Sequence, residues 1–319
     1  MSKTLASCPL CASNNISHRY TTKDEEFHTS NKEFHLYLCS HCSSYFINPL
    51  PDDDEIPSFY QMNASSYGAY QPQDPKIQYT SLDRFFLKNR TMNIIDKFLF
   101  QAFSKDVDNR LLDLKNYYVH HERRFQHVLD VGCGGGALLK NLNKYFQIPK
   151  SNLEGIDIFP GIEKLGESVG ISMRNLQLHE LPAKEQYDLI VLSHVLEHVP
   201  DPKKMVQDVA VRLSDDGIFL LSIPNSQSLP AHLFGKKWRC HSVPRHIFNF
   251  SKKGILDITR PSFHMEHYSS GDYASNIYRL YYPKARKILG NFKVGKVLGA
   301  SLLLVNLGDS QSFILSKKK

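Results

Sequence analysis

The segment VLDVGCGGGALL (residues 128–139) decides the fold of this 319-residue chain. A hydrophobic run that ends at Val131 is followed by a glycine-rich turn at 132–136 and by an apolar helical pattern that begins at Ala137. Glycines let the backbone approach a bound molecule closely, and the first turn of a helix offers free N–H groups. The segment therefore predicts a strand, a binding loop and a helix.

Strand-like and helical patterns alternate throughout the chain after residue 125. The strand-like runs are short and apolar, and they cover 127–131, 153–157, 171–176, 189–193, 218–223, 264–269 and 312–315. Strands that alternate with helices form parallel sheets that are covered on both faces, with ligands at the carboxyl ends of the strands. We therefore predict an α/β fold with a doubly wound, seven-stranded, Rossmann-like sheet.

Four cysteines near the N-terminus form two Cys-x-x-Cys pairs, Cys8 with Cys11 and Cys39 with Cys42, separated by 27 residues. No secretion signal is visible, so we expect a cytoplasmic protein in which metal binding is favoured over disulfides. Four thiolates suit a closed, tetrahedral site, which indicates structural zinc. The pairs predict a zinc ribbon; His41 as a substitute ligand is the alternative.

Three regions follow from these patterns. We predict a zinc-ribbon module over 1–50, a strap and helical linker or lid over 51–124, and a ligand-binding sheet domain over 125–319. Helical periodicity covers 81–103 and about 107–124 of the linker. The tyrosine-rich strap either folds over the ligand as a lid or is an ordinary surface linker; its tyrosines are Tyr60, Tyr67 and Tyr70.

Composition and charge narrow the classes of partner. Hydrophobic residues make up 41% and charged residues 22% of the chain, values that exclude a disordered or fibrous protein. The net charge of +7 selects no partner, but the ribbon's own charges nearly cancel, which disfavours nucleic acid. Val294–Val305 is too short to span a bilayer. Core packing is favoured for that stretch, with a homodimer interface or membrane-surface contact as alternatives.

Two acidic residues indicate which ligand the glycine loop holds. Asp130 lies two residues before Gly132, where a carboxylate repels a pyrophosphate and attracts an ammonium group. Asp157 ends the second predicted strand, where its carboxylate can accept both hydroxyls of a ribose. A ligand with a ribose and an ammonium group but no phosphate is S-adenosylmethionine. The alternative, a dinucleotide on Gly132-x-Gly134-x-x-Ala137, is disfavoured by Asp130.

Several motifs together resemble class I S-adenosylmethionine-dependent methyltransferases. They are LDVGCGGG (129–136), GID (155–157), YDLIVLSHVLEHVPDP (187–202) and DDGIFLLSIPN (215–225), and the resemblance covers about 126–317. A second set is similar to a bacterial subgroup that has an N-terminal zinc ribbon and is associated with methylating sugars or cell-surface polysaccharide precursors. That set is CPLC (8–11), CSHC (39–42), FINPLP (46–51) and LFGKKWRCHSVPRHIFNFS (233–251).

The resemblance implies that the glycine loop holds the methionine end of the cofactor, that Asp157 holds the ribose and that the segment after the third strand holds the adenine. The cofactor-binding candidates are Asp130, Gly132, Cys133, Gly134, Gly136, Asp157, Ile158, Leu178 and Ser193. Leu178-His179 stands where many members have an acidic residue, so backbone contacts around Leu178 are expected to take over adenine recognition.

Methyl transfer from a sulfonium is mostly proximity catalysis, and a base is needed only where the acceptor loses a proton. The candidate bases are His194, His198 and His246, and the candidate substrate-binding residues are Glu197, Trp238 and Arg245. Purely structural roles for these residues, or a metal site at 194, 197 and 198, are alternatives. We predict methylation of a small or carrier-linked polar substrate, with a sugar derivative favoured. An RNA methyltransferase and a non-catalytic scaffold are the competing readings.

Overall fold

The computed structural model describes residues 4–60, 95, 109–121, 124–271, 301 and 304–319. Apart from residue 95, the helix predicted over 81–103 lies outside these residues, and so do Tyr67, Tyr70 and most of 294–305. The lid and dimer expectations for those segments stay predictions.

Eleven strands are present in the described residues: β1 (Ile16–Lys23), β2 (Glu33–Cys39), β3 (Tyr45–Ile47), β4 (Val128–Val131), β5 (Leu153–Asp157), β6 (Ser172–Asn175), β7 (Tyr187–Ser193), β8 (Leu213–Pro224), β9 (Phe248–Asn249), β10 (Phe263–Gly271) and β11 (Ser310–Lys317). Seven of them form one sheet in the order β10-β11-β8-β7-β4-β5-β6. The predicted seven-stranded α/β sheet is thus confirmed. The neighbouring strands of this sheet run parallel except at β11, which runs antiparallel to both β8 and β10.

Helices cover the sheet on both faces. The described α-helices are α1 (Asn109–His121), α2 (Ala137–Phe146), α3 (Ile162–Val169), α4 (Pro202–Arg212), α5 (Leu229–Phe234) and α6 (Lys252–Thr259). Apolar side chains of α1, α2 and α3 pack in one core cluster, and those of α4 and α6 pack in another. The chain is therefore doubly wound, as predicted.

The strands alternate between these two cores with a period of two residues, as a sheet buried on both faces requires. In β7, Leu189 and Val191 belong to the cluster with α1–α3, whereas Ile190 and Leu192 belong to the cluster with α4 and α6. All four side chains are fully buried. Ser193 ends β7 at the carboxyl edge of the parallel strands, which is the edge where α/β sheets generally bind ligands.

The ribbon is continuous with the sheet domain. Its strands β1, β2 and β3 form a four-stranded antiparallel sheet with β9, which comes from residues 248–249. The buried side chains of Cys8, Leu10 and Phe46 belong to the same core cluster as those of α4 and α6. A second cluster joins Phe34, Leu36 and Ile47 of the ribbon to Phe59 and Val243. The ribbon therefore shares both of its apolar clusters with residues beyond position 50, as expected for a module too small to bury a core by itself.

The linker helix α1 packs on the sheet. Leu111, Leu112 and Leu114 are fully buried in the cluster that includes Val128 and Ile314. The division at 124/125 stays a prediction, but α1 serves as one of the layers that cover the sheet. In the described part of the chain, no helix is both long and apolar enough to cross a bilayer.

Candidate functional site

The glycine loop between β4 and α2 is bent tightly against β5. The N–H groups of Gly132 and Cys133 both donate to the carbonyl of Ile156, at 2.8 and 3.1 Å. Gly132, Gly134 and Gly136 have φ angles of +70°, +49° and +68°, which L-residues with a Cβ rarely adopt. The sequence therefore has glycine at each position where the loop turns.

Space around the loop differs from one glycine to the next. A Cβ on Gly132 would lie 2.4 Å from Cγ2 of Val195, and one on Gly136 would lie 2.2 Å from Cε of Met173. No heavy atom of the described residues lies within 4 Å of a Cβ built on Gly134. The loop is thus packed at both ends and open at its middle, where a ligand can approach the backbone.

Asp157 connects the loop to β5. Its carboxylate accepts hydrogen bonds from the N–H of Gly134, at 2.9 Å, and from the N–H of Phe159, at 3.0 Å. Asp157 and Asp130 are both buried at the carboxyl ends of neighbouring strands, β5 and β4. Next to them, the apolar side chain of Ile158 is 66% exposed. Asp157 is therefore bonded directly to the middle of the loop, Asp130 lies on the strand that leads into the loop, and Ile158 directly follows β5.

Three other cofactor candidates contribute in different ways. The side chain of Leu178 is buried, so only its backbone is available to an adenine. The hydroxyl of Ser193 accepts a hydrogen bond from Nη1 of Arg110 at 2.5 Å. The thiol of Cys133 points into the core, where a Cβ on Gly155 would lie 2.5 Å from its Sγ. Burial raises the pKa of this thiol, so Cys133 contributes packing and backbone geometry rather than a reactive group.

A cluster of polar side chains follows the carboxyl end of β7. Nδ1 of His194, a residue with a φ of +57°, lies 3.1 Å from Oε1 of Glu197. Glu197 is fully buried, and the rings of His198 and His246 meet edge to face with centroids 4.6 Å apart. The three candidate bases and Glu197, which the sequence places up to 52 positions apart, thus lie together.

The protonation states in this cluster are set by burial and by one carboxylate. Burial alone would raise the pKa of Glu197, but the hydrogen bond with His194 and the neighbouring histidines bring it down to about 2. Burial, with the neighbouring His246, lowers the pKa of His198 to about 4. Burial also lowers the pKa of His246. At neutral pH the cluster therefore presents an anionic carboxylate beside two neutral imidazoles.

Trp238, a substrate-binding candidate from the sequence, has no ring face exposed to a substrate. Its indole is 2% exposed, and its Nε1–H donates to Oδ1 of Asp309 at 3.1 Å. The hydroxyl of Ser228 donates to the same oxygen at 2.9 Å. The physical reason for the error is that an indole with a buried carboxylate partner is a core side chain. The substrate-binding prediction for Trp238 is corrected accordingly.

Arg245 lies beneath the ribbon. Its guanidinium carbon is 3.5 Å from the ring centroid of Phe27, and its Nε–H donates to the carbonyl of Phe59 at 2.9 Å. Among the described residues, Nη2 of this buried side chain has no hydrogen-bond partner. The ribbon and the strap therefore hold Arg245 in place, with one donor available to an anionic group.

Sequence reasoning missed residues that contact the cluster from other segments. The hydroxyl of Tyr60, which the sequence places only in the strap, lies 2.8 Å from Nδ1 of His198. Arg110 reaches Ser193 from α1, and Phe27 reaches Arg245 from the ribbon hairpin. No local pattern marks Arg110 or Phe27, because both contacts join segments that are far apart in the sequence.

The four N-terminal cysteines converge. Sγ of Cys8 lies 3.7 Å from Sγ of Cys42, and Sγ of Cys11 lies 3.6 Å from Sγ of Cys39. These separations are far longer than a disulfide bond of about 2.05 Å. They are close to the roughly 3.8 Å between sulfurs at the corners of a tetrahedron with Zn–S bonds of about 2.3 Å. The donor set therefore fits a four-coordinate metal ion.

The chain matches known methyltransferases in sequence. Residues 103–259 match a family model described as a methyltransferase domain. A curated relative, the ubiquinone biosynthesis O-methyltransferase of Coxiella burnetii (strain RSA 331 / Henzerling II), is 28% identical over 148 residues, 43% of this chain and 58% of that protein. The enzyme of the same name from Salmonella paratyphi A is 29% identical over 144 residues, 42% of this chain and 54% of that protein. The chain thus spans little more than half the length of these relatives.

Solved structures with a similar chain path include the N-methyltransferase NodS from Bradyrhizobium japonicum WM9 in complex with S-adenosyl-l-homocysteine. NodS is 12% identical, with a TM-score of 0.44, and the match covers 82% of this chain and 99% of NodS. The complex between the Haloferax volcanii Trm112 methyltransferase activator and the putative methyltransferase is 14% identical, with a TM-score of 0.46, over 70% of this chain and 98% of that one. The family match and the strand order agree: residues 103–259 are similar to a methyltransferase domain, and the chain forms a mostly parallel seven-stranded α/β sheet with a glycine loop between β4 and α2.

Proposed function

We propose that the chain transfers the methyl group of S-adenosylmethionine to a hydroxyl of a small or carrier-linked polar molecule, with a sugar derivative of surface polysaccharide biosynthesis as the favoured acceptor. The observation that carries the proposal is the arrangement at the glycine loop. An open backbone at Gly134 lies between two buried carboxylates, Asp130 and Asp157, and beside the exposed side chain of Ile158.

Each part of that arrangement matches one part of the donor. Asp130 supplies negative charge for the ammonium group, Asp157 accepts the ribose hydroxyls, and Ile158 offers an apolar surface to the adenine. A phosphate-bearing dinucleotide would instead meet the repulsion of two carboxylates. The backbone at Leu178 is the proposed partner of the adenine edge.

A hydroxyl acceptor is supported by the curated relatives, which are named O-methyltransferases, and by the polar cluster after β7. His194 directly follows Ser193, the last residue of β7, and His198, in the turn that comes after it, contacts His246. A sugar or another polar acceptor could be held there by hydrogen bonds, with Arg245 offering its Nη2 to a negatively charged carrier.

We further propose that Cys8, Cys11, Cys39 and Cys42 hold structural zinc. The near-tetrahedral sulfur separations support it, and four thiolates would leave no position for a reacting water. Six free thiols also fit a reducing, cytoplasmic compartment, which stays a prediction. The homodimer through 294–305 is likewise still a prediction.

The test of the proposed function is a calorimetric titration of the full chain with S-adenosylmethionine. We expect one site per chain and, in Asp157→Ala, affinity that is roughly tenfold to a hundredfold weaker, because charge-assisted hydrogen bonds worth about 1.5–3 kcal/mol are lost. Asp215→Ala is the matched control, since its side chain is 89% exposed in an ion pair at the far end of β8. Unchanged affinity in Asp157→Ala would remove the proposed ribose site.

The competing functions predict different results. An RNA methyltransferase would bind RNA with an affinity that falls steeply as salt increases, because phosphate contacts release counterions. A non-catalytic scaffold would bind no S-adenosylmethionine in the same titration. Neither has a specific observation in its favour, because the ribbon hairpin is close to electrically neutral.

A further inference from the structure

We infer that Glu197, His198 and His246 form a second metal site, distinct from the four cysteines, which takes a divalent first-row transition ion. One carboxylate oxygen and one nitrogen of each ring lie within 4.8 Å of one another. Two imidazoles and a carboxylate are ligands that Zn²⁺, Fe²⁺, Co²⁺ and Mn²⁺ accept. This cluster differs from the sequence-based alternative, which grouped His194 with Glu197 and His198.

One of the two rings is held in the tautomer that a metal needs. Nδ1 of His246 lies 2.7 Å from the carbonyl oxygen of Cys240. A carbonyl oxygen cannot donate a hydrogen bond, so this Nδ1 carries the hydrogen and the lone pair is on Nε2. Hydrogen bonds from one ring nitrogen to a backbone carbonyl orient histidines in metal sites. Nδ1 of His198 contacts both the carbonyl oxygen of Arg245, at 3.0 Å, and the hydroxyl of Tyr60, at 2.8 Å, and these two contacts fix the position of that ring.

The carboxylate supplies a second, independent observation. Glu197 is fully buried, and Oε1 lies 3.1 Å from Nδ1 of His194. Its other oxygen, Oε2, has no hydrogen-bond partner among the described residues. A carboxylate oxygen that is buried without a hydrogen-bond partner is costly, and a bound cation removes that cost.

The position of the site indicates what the ion would do. Glu197 and His198 belong to the turn that directly follows β7, and the strap reaches the same point through the hydroxyl of Tyr60. Three protein ligands leave at least one coordination position open, as in catalytic rather than structural metal sites. An oxygen of the methyl acceptor could occupy it and lose its proton more easily. This role rests on the proposed function, but metal binding itself does not.

The experiment is a count of bound metal on the full-length, tag-free chain after equilibration with Zn²⁺ and removal of excess ion. We expect two equivalents per chain in the wild type, and one in both Glu197→Gln and His246→Ala. Glu197→Gln keeps an oxygen that can bond to His194, so the turn after β7 keeps its hydrogen bond. His264→Ala is the matched control, because it removes a histidine that is exposed on β10, and it should keep two equivalents.

Cobalt distinguishes the two sites by spectroscopy. Co²⁺ added to protein that retains zinc in the ribbon should give ligand-field bands without the thiolate-to-cobalt charge-transfer absorption that only cysteine ligands produce. A wild-type chain with one equivalent, or a His246→Ala chain with two, would overturn the inference. Titration of each variant with S-adenosylmethionine keeps this result separate from the proposed function, since the cofactor loop uses none of the three ligands.

Discussion

A substitution at Gly134 can separate an effect on ligand binding from an effect on the stability of the fold. An alanine there would have a φ of +49°, at a cost of about 1–2 kcal/mol, but its methyl group would meet no described atom. The same methyl group would occupy the space that the proposed cofactor needs. We therefore expect Gly134→Ala to destabilise the chain only slightly while it weakens S-adenosylmethionine binding about tenfold or more.

Gly132→Ala provides the comparison for that prediction. Its Cβ would clash with the side chain of Val195, so roughly 1–3 kcal/mol of overpacking is added to the conformational cost. Urea unfolding should therefore show the larger loss of stability in Gly132→Ala. Calorimetric titration should show that Gly134→Ala loses more binding affinity for each kcal/mol of stability lost. Equal losses of stability in both would contradict the open space assigned to Gly134.

Asp309 makes stability depend on pH. Burial raises the pKa of its carboxyl from 3.8 to about 6, although Trp238 and Ser228 both donate to it. Because the folded pKa is the higher one, the stabilisation is complete below pH 4 and is lost as the pH rises through 6. The loss approaches roughly 3 kcal/mol.

Asp309→Asn removes this titration and keeps an oxygen that can accept both hydrogen bonds. Between pH 4.5 and pH 7.5, the free energy of unfolding should fall by about 2 kcal/mol more in the wild type than in the variant. Other groups titrate in both proteins and cancel in the comparison. Parallel pH profiles would show that the carboxyl has its ordinary pKa.

Single residues also show where sequence reasoning succeeds and fails. The position of Asp157 at the end of β5 could be predicted, because the end of a strand is local information. The burial of Trp238 could not, because its partner Asp309 is 71 positions away. His246 is a candidate base from the sequence, but its proximity to Glu197 could not be predicted, because it depends on how two loops that are distant in sequence meet.

At the scale of elements, the start of α6 determines how the ribbon attaches. The hydroxyl of Ser251 caps α6 by accepting from the N–H of Gly254 at 2.9 Å, and it donates to the carbonyl of Cys42. The N–H of Ser251 donates to the hydroxyl of Ser44 at 3.0 Å. One serine therefore caps a helix and joins it to the second cysteine pair.

Gly254→Ala should reverse the usual effect of an alanine in a helix. In most helices this change stabilises by up to about 1 kcal/mol. Here the Cβ would lie 2.1 Å from Oγ of Ser44, which is buried, so we expect destabilisation of roughly 1–3 kcal/mol in urea unfolding. The double variant with Ser44→Ala removes the obstructing oxygen and should recover part of the loss. No recovery would mean that Ser44 is not the obstacle.

The elements themselves could be predicted well where the signal was periodic. The helix expected at about 107–124 is observed as α1, Asn109–His121, and all seven strands of the large sheet were expected. The boundary of β8 differs most, because it begins at Leu213 and runs through the Asp215-Asp216-Gly217 segment that reads as a turn. Strand β9 is two residues long and carries no periodic signal.

At the scale of the whole molecule, the ribbon should share one unfolding transition with the sheet domain. The sequence alone favours a module that unfolds by itself when its metal is lost. The structure instead buries Cys8, Leu10 and Phe46 in a cluster with Phe248 and Phe250. Loss of zinc should therefore destabilise the entire chain.

Cys39→Ser tests this coupling. We expect loss of the ribbon's metal ion and a decrease in the melting temperature of the whole chain, on the order of 10 °C, in a single transition. Ser40→Ala is the control, since it changes an exposed neighbour and no ligand. Two separate transitions in the variant, with the sheet domain melting at its original temperature, would show that the ribbon is autonomous after all.

Strand β9 also constrains how such a protein can change over generations. Its two residues complete the small sheet of the ribbon, yet they are encoded about two hundred codons downstream of β3. A recombination event that exchanged only the first fifty residues for those of another lineage would pair Phe46 with a strand that had never accompanied it. We therefore expect the two segments to be exchanged together rather than separately.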